Sequence, residues 1–477
     1  MRIRCNTYAI LHESIGASMF KKNNPDSFVR KLSALAEFND PINPDLYAKY
    51  DVKRGLRNAN GTGVLVGLTK VGDVVGYSIG ENGEKLPIPG KLLYRGYDVV
   101  DLIKDAEKSN QFGYEQCVYL LLFGELPTQE QLDEFTQYLG MCRTLPPNFT
   151  EDMIMKAPSN DIMNKIQRGV LASYSYDSAP EDRSIANNMR QCIELISRFS
   201  TLAAYGYQAK RRYYDEKSMY IHNPLPNLST AENFLHLIRA DMQYTKLEAD
   251  TLDLALILHA EHGGGNNSSL TVHVVSSADT DTYSSIAAAV GSLKGRRHGG
   301  ANIRVVEMMD EIKTNVKNWD NEKEIRDYLY KIAKGKAYDG TGLIYGMGHA
   351  VYTVSDPREI LLRDKAEKLA EEKGLLDEFN LYRIIEDCAP EILVTVHESA
   401  KGICPNVDFY SGFVYSMLNI PRELFTPLFA ISRIAGWSAH RIEEIVAGGR
   451  IYRPAFKNVC EERTYIPIEK RKKKRFR

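Results

Sequence analysis

Four of the chain's ten histidines, His259, His262, His273 and His298, fall within 40 residues and flank glycine-rich breaks that bring backbone and ligand close. His298 stands in Gly295-Arg-Arg-His-Gly-Gly-Ala-Asn302, immediately before a predicted helix. The partial positive charge of a helix N-terminus disfavours imidazolium and keeps such a ring neutral. A neutral ring N–H can stabilise a developing enolate oxygen without surrendering its proton. A capping histidine fits the same spacing, which leaves both readings open. His349 lies in Gly346-Met-Gly348-His-Ala-Val-Tyr352, where the glycines suggest a turn presenting the ring to a cleft. Asp408, in Pro405-Asn-Val-Asp-Phe-Tyr-Ser-Gly412, opens another predicted helix. The helix field should keep its carboxylate ionised, which suits a general base, although on local grounds a plain N-cap aspartate fits better.

Three arginines stand in apolar or turn settings: Arg358, Arg433 and Arg453. Guanidinium forks match carboxylates bidentately, so several converging on one pocket would suit a small di- or tricarboxylate. Each alone is more often a structural ion pair or a snorkelling surface residue. His259-Ala-Glu-His262 resembles part of a zinc motif, yet it is not His-Glu-x-x-His and no third ligand follows at a recognisable spacing. No metal is read here. His259 and His273 read as satisfied structural histidines.

The elements that must hold these residues are mostly helical. Ser229 with Glu232 and Thr245 with Glu248 have capping-box spacing. The second pair predicts a helix through Leu258, stopped by Gly263-Gly264-Gly265. Further helices are predicted over 282–293, just after Gly299-Gly300, and around 362–374, 390–401, 409–418 and 422–437. Residues 61–97 differ: Gly61 to Gly67, Val74-Val75-Gly76-Tyr77 and a turn at Pro87/Pro89 read as short strands and turns. Gly61, Gly63 and Gly67 do not make a dinucleotide fingerprint, since the third glycine is one residue too far and no long helix follows. The fold class is all-α, with a few short N-terminal strands.

The 477 residues carry 61 Lys+Arg and 62 Asp+Glu, a net charge of −1, which argues against a general nucleic-acid binder. Hydrophobic content of 43% with 26% charged residues excludes a disordered or collagenous chain and allows two or three domains. No apolar run approaches the roughly 18 residues of a membrane span. Residues 1–18 read as a disordered extension, Met19 being an alternative start; a transit peptide, and hence the mitochondrial matrix, is the less favoured reading. Seven scattered cysteines without a Cys-x-x-Cys pair point to a reducing compartment, the cytoplasm. The basic tail, residues 470–477, reads as solvated.

Together these segments resemble the citrate synthase family. The matches are His259 to His262 with Asn266 and Ser268, then 295–302, 346–358, 405–412 and 429–454. The 36 positions from His262 to His298 and the 20 from Arg433 to Arg453 are as the family has them. Weaker similarity at Leu93-Tyr-Arg-Gly-Tyr97 and Tyr119-Leu-Leu-Leu-Phe-Gly124 extends the resemblance from about residue 50 to Arg471.

The resemblance implies a two-domain, almost all-helical homodimer: a large domain of residues 19–301 and 414–477, and a small one of residues 302–413, closing around oxaloacetate. Carried over by position, Asp408 takes a proton from the acetyl methyl, His298 stabilises the thioester oxygen, and His349 polarises the oxaloacetate carbonyl. His262, Asn266, Arg358, Arg433 and Arg453 bind substrate, Arg453 reaching in from the partner subunit. No tightly bound cofactor, nucleic acid or membrane is implied; the coenzyme A thioester is a substrate. Some members place an arginine for the coenzyme's phosphates five residues after the active-site histidine, where this chain has Val354, with Thr353 beside it. Arg296, Arg297 or the basic tail would then serve. The close rival is 2-methylcitrate synthase, which takes propionyl-CoA on the same catalytic set. An inactive helical scaffold and a zinc metallohydrolase are the readings from other classes.

Overall fold

Helices carry most of the chain in the computed structural model, which describes residues 25–58, 62–82, 84–397 and 402–471. In chain order they are α1 (Pro25–Asn39), α2 (Asp45–Lys49), α3 (Val99–Ser109), α4 (Tyr114–Phe123), α5 (Gln129–Met141) and α6 (Ile162–Ser173). Then come α7 (Ile185–Tyr213), α8 (Thr230–Ile238), α9 (Lys246–His259), α10 (Asn267–Ser276), α11 (Thr282–Lys294) and α12 (Ala301–Asn315). The last are α13 (Glu322–Ala333), α14 (Pro357–Lys373), α15 (Leu376–Val396), α16 (Asp408–Met417) and α17 (Phe425–Ala447). An antiparallel sheet joins β1 (Gly72–Ile79), β2 (Lys85–Tyr94) and β3 (Tyr97–Asp98) in that order. The chain forms two compact units, residues 1–67 with 454–477 and residues 68–453. In the first, α1 exposes Phe28, Leu32, Leu35 and Phe38. The second contains every candidate site residue.

Both capping boxes are present. Ser229 opens α8 and Thr245 opens α9, each hydroxyl accepting an N–H from the glutamate three residues on, whose carboxylate accepts the cap residue's own N–H. Two expectations fail at proline. Pro87 and Pro89 lie within β2 and form no turn; β3 pairs only with Leu93 and Tyr94, so on that side nothing needs the missing N–H. Helix α15 starts at Leu376 and runs through Pro390, because its buried Phe379, Leu381, Ile385 and Ile392 hold the helix against its neighbours. Helix α14 begins five residues earlier than expected, where Asp356 caps it and Pro357 takes the first position. Residues 62–67 form no strand beyond an isolated bridge at Gly63. Residues 1–24, Gly61, 398–401 and 472–477, on which the extension, the fingerprint and most of the tail were read, lie outside the described residues.

Helix α17 is the axis of the second unit. It packs against α4, α7, α9, α10 and α11, and from Phe425 to Ile442 all but Phe429 are buried. A helix enclosed on every side lies inside a protein, and its buried Arg433, His440 and Arg441 must find partners there. It can lie against the chain after α9 because Gly436 has no side chain, and the Gly436 N–H donates to the Ala260 carbonyl at 3.2 Å. Among the described residues no helix is long and apolar enough to cross a membrane.

Candidate active site

Two loops bring His349 and Asp408 together. The Gly348 N–H donates to the Cys404 carbonyl at 2.8 Å, the Asn406 N–H to the Gly346 carbonyl at 2.9 Å, and the Asn406 side chain to the Gly348 carbonyl at 2.8 Å. Gly346 (φ +82°) and Gly348 (φ +87°) take the left-handed conformation this turn requires. The reading of a turn that presents the imidazole therefore holds. His349 Nδ1 accepts the backbone N–H groups of Val351 and Tyr352, both at 3.1 Å. Burial, and then the charge of Arg358, push the ring down to about 4. The neutral ring must carry its proton on Nε2, which is left as a donor.

His262 meets His349 edge-on, with ring centroids 5.0 Å apart, and Tyr352 stacks on His349 at 4.7 Å. Arg358 lies 5.7 Å from the Tyr352 ring. Its Nε and Nη2 fork onto Asp356 at 3.0 and 2.7 Å, leaving Nη1 outside the pair. Asp356 also caps α14 and accepts the Val407 N–H at 3.3 Å, tying the arginine to the residue before Asp408. Arg433 is fully buried: its Nε donates to the His259 carbonyl at 2.6 Å, its guanidinium covers Phe429 at 4.7 Å, and Nη1 has no partner. Burial pulls it down to about 10. Two cations held by one edge, each with a donor left over, suit an anionic ligand with several oxygens.

The expectation for Asp408 needs correction. It is the first residue of α16, but its carboxyl is pushed up to about 6, the reverse of a helix-field effect. Burial dominates, Asp356 adds repulsion, and Arg358 and Arg433 recover only part of the cost. A carboxylate so placed is a stronger base than one in water.

His298 sits in the turn before α12. Burial, and then Arg433, lower it to about 4, so it is neutral as its position suggested. Its Nε2 lies 3.2 Å from Ser268 Oγ, which accepts the Trp437 indole N–H at 3.0 Å and lies 2.9 Å from Asn266 Oδ1. Asn266 itself caps α10 through that oxygen. The Ser268 contribution was missed as a site residue, although its position two after a capping asparagine was a usable signal. His262 is driven well below its ordinary value by burial and the arginines, and its Nε2 is buried without a partner.

Other expected residues fall elsewhere. Arg453 is exposed and makes no hydrogen bond to this cluster. Arg296, Arg297 and Val354 are exposed as well. His259 is not the satisfied histidine expected: it is fully buried against Phe429, ring centroids 4.5 Å apart, and neither ring nitrogen has a hydrogen-bond partner. Its place between Phe429 and the two arginines leaves no acceptor within reach and keeps it neutral. His273 is satisfied, by Glu444 and His440.

Comparison with known proteins shows the family. The family model described as "Citrate synthase, C-terminal domain" matches residues 59–455. A citrate synthase of Haloferax volcanii is 33% identical over 427 residues, 88% of this chain and 99% of that one. A 2-methylcitrate synthase of Shewanella oneidensis is 32% identical, covering 80% of this chain and 92% of its own. The ternary complex of Thermoplasma acidophilum citrate synthase with carboxymethyl coenzyme A and oxaloacetate superposes with a TM-score of 0.70 at 28% identity, over 88% of this chain and 99% of that one. Such matches define an acyltransferase that works on a coenzyme A thioester. The chain belongs to the citrate synthase family.

Proposed function

We propose that this enzyme condenses acetyl-CoA with oxaloacetate and hydrolyses the citryl-CoA formed to citrate and coenzyme A, as a cytoplasmic homodimer. The observation that carries this reading is the protonation pattern: one desolvated carboxylate among imidazoles that stay neutral. Asp408 removes a proton from the acetyl methyl. Neutral His298, placed by Ser268 Oγ at 3.2 Å, stabilises the thioester oxygen as charge develops there. The Nε2–H of His349 polarises the keto carbonyl and is passed to the new alkoxide as the enol carbon attacks. His262, Asn266, Arg358 and Arg433 hold the keto acid, joined by Arg453 from the partner subunit. Water then cleaves the thioester, releasing coenzyme A.

The small domain, residues 302–413, closes on the large one, residues 19–301 and 414–477, so that the enol is kept from water. No tightly bound cofactor takes part. The second reading, 2-methylcitrate synthesis from propionyl-CoA, is favoured by the likeness to the Shewanella oneidensis protein. One methylene separates the two substrates and is worth about 1–3 kcal/mol of discrimination. Release of free thiol from acetyl-CoA and from propionyl-CoA, each with and without oxaloacetate, tests both. Faster oxaloacetate-dependent release from acetyl-CoA is expected; faster release from propionyl-CoA replaces it with the second reading, and none from either removes both.

A further inference from the structure

The candidate active site does not account for a second cluster, built where the last turn of α10 meets the C-terminal half of α17. His273 Nε2 and His440 Nδ1 face each other at 3.1 Å. Glu443, one helical turn beyond His440, brings Oε2 within 3.7 Å of His440 Nδ1. The three facing atoms all lie within 4.8 Å of one another. Glu443 Oε2 is buried without a close hydrogen-bond partner among the described residues, its charge met only by the His440 ring at 3.7 Å and by Thr69.

The opposite atom of each residue is tied down. His273 Nδ1 meets Glu444 Oε2 at 2.8 Å, His440 Nε2 meets Glu261 Oε1 at 3.0 Å, and Glu443 Oε1 accepts the Lys70 N–H at 2.6 Å. Imidazoles oriented by carboxylates on their far nitrogens are the usual outer arrangement of histidine-bound metals. It also fixes which nitrogen faces inward.

We propose that His273 Nε2, His440 Nδ1 and Glu443 Oε2 bind one zinc ion per chain. Bonds of about 2.0–2.1 Å in a tetrahedron separate donor atoms by roughly 3.3–3.5 Å, which the 3.1 and 3.7 Å separations from His440 Nδ1 bracket. Two imidazoles and one carboxylate suit zinc, whereas magnesium and calcium prefer oxygen donors throughout. The proton held between the two rings leaves to solvent as the ion binds. Water takes the fourth position, on the side where Glu443 is partly exposed. The ion pins α10 to α17. Through His440 it also fixes Glu261, the neighbour of His262.

The test uses tag-free, full-length protein stripped with a chelator. Titration with zinc chloride, followed by calorimetry and elemental analysis, should give saturable binding of one ion per chain. Reloading with cobalt(II) should give the intense visible bands of a tetrahedral ion. Glu443→Gln and His273→Gln each keep the His440–Glu261 pair and should weaken zinc binding by about tenfold or more at unchanged circular dichroism. Absence of saturable binding overturns the proposal, as does binding that both variants leave intact, which places the ion elsewhere. Should either variant fail to fold, the cobalt spectrum of the unaltered protein decides, and a six-coordinate spectrum also overturns the site.

Discussion

At the scale of single residues, Asp408 is placed against its own stability. A carboxyl raised from its ordinary 3.8 to about 6 binds more protons folded than unfolded, so folding stability falls as pH rises through that window. Above pH 6 the cost is complete, about 3 kcal/mol by linkage. Asp408→Asn should therefore abolish turnover yet raise stability at pH 7 by about 1–3 kcal/mol, read from urea unfolding. A destabilised variant would show that Arg358 and Arg433 need the charge more than burial penalises it. The same carboxyl should set the acid limb of kcat/KM, with activity rising as pH passes about 6. The limb belongs to the carboxyl because His298 and His349 lose their protons near 4. A limb centred at 4 would remove Asp408 as a base of raised pKa. Residue types and spacing made most of this set legible; the direction of the Asp408 shift was not, because burial by distant segments outweighs a local helix field. The free nitrogens of His259 were hidden for the same reason, since only the packed Phe429 shuts them off.

At the scale of elements, local chemistry written into the chain decided the helix starts: Ser229, Thr245 and Asp356 each cap where a hydroxyl or carboxylate precedes a periodic run. Proline misled the reading, at β2 and at α15, since its cost depends on whether a neighbour needs the absent N–H. Glycine gives the sharper test. A Cβ on Gly436 would lie 2.5 Å from the Ala260 carbonyl oxygen and against Glu261 as well. Gly436→Ala should force α17 away from the chain that carries His262, costing about 1–3 kcal/mol. Its kinetic signature should be a raised KM for the keto acid, measured at saturating thioester. Unchanged KM would mean that the crossing of α17 does not position His262.

At the scale of the molecule, the proposed sharing of Arg453 between subunits would have a signature no monomer can give. Arg453→Ala and Asp408→Asn chains should each be nearly inactive alone. Unfolded together and refolded, they should recover about one quarter of the activity, because half the dimers are hybrids with one intact site of two. No recovery would place Arg453 outside the partner's site. The isolated chain already shows Arg453 exposed, which its spacing from Arg433 could not reveal. One further property follows from α17, enclosed on every side from Phe425 to Ile442 save at Phe429. Its amide hydrogens have no local route to solvent, so they exchange with deuterium only when the whole unit opens. The slowest-exchanging peptide should therefore contain Arg433 and Trp437, and its exchange rate should gauge global stability on the helix that carries Arg433.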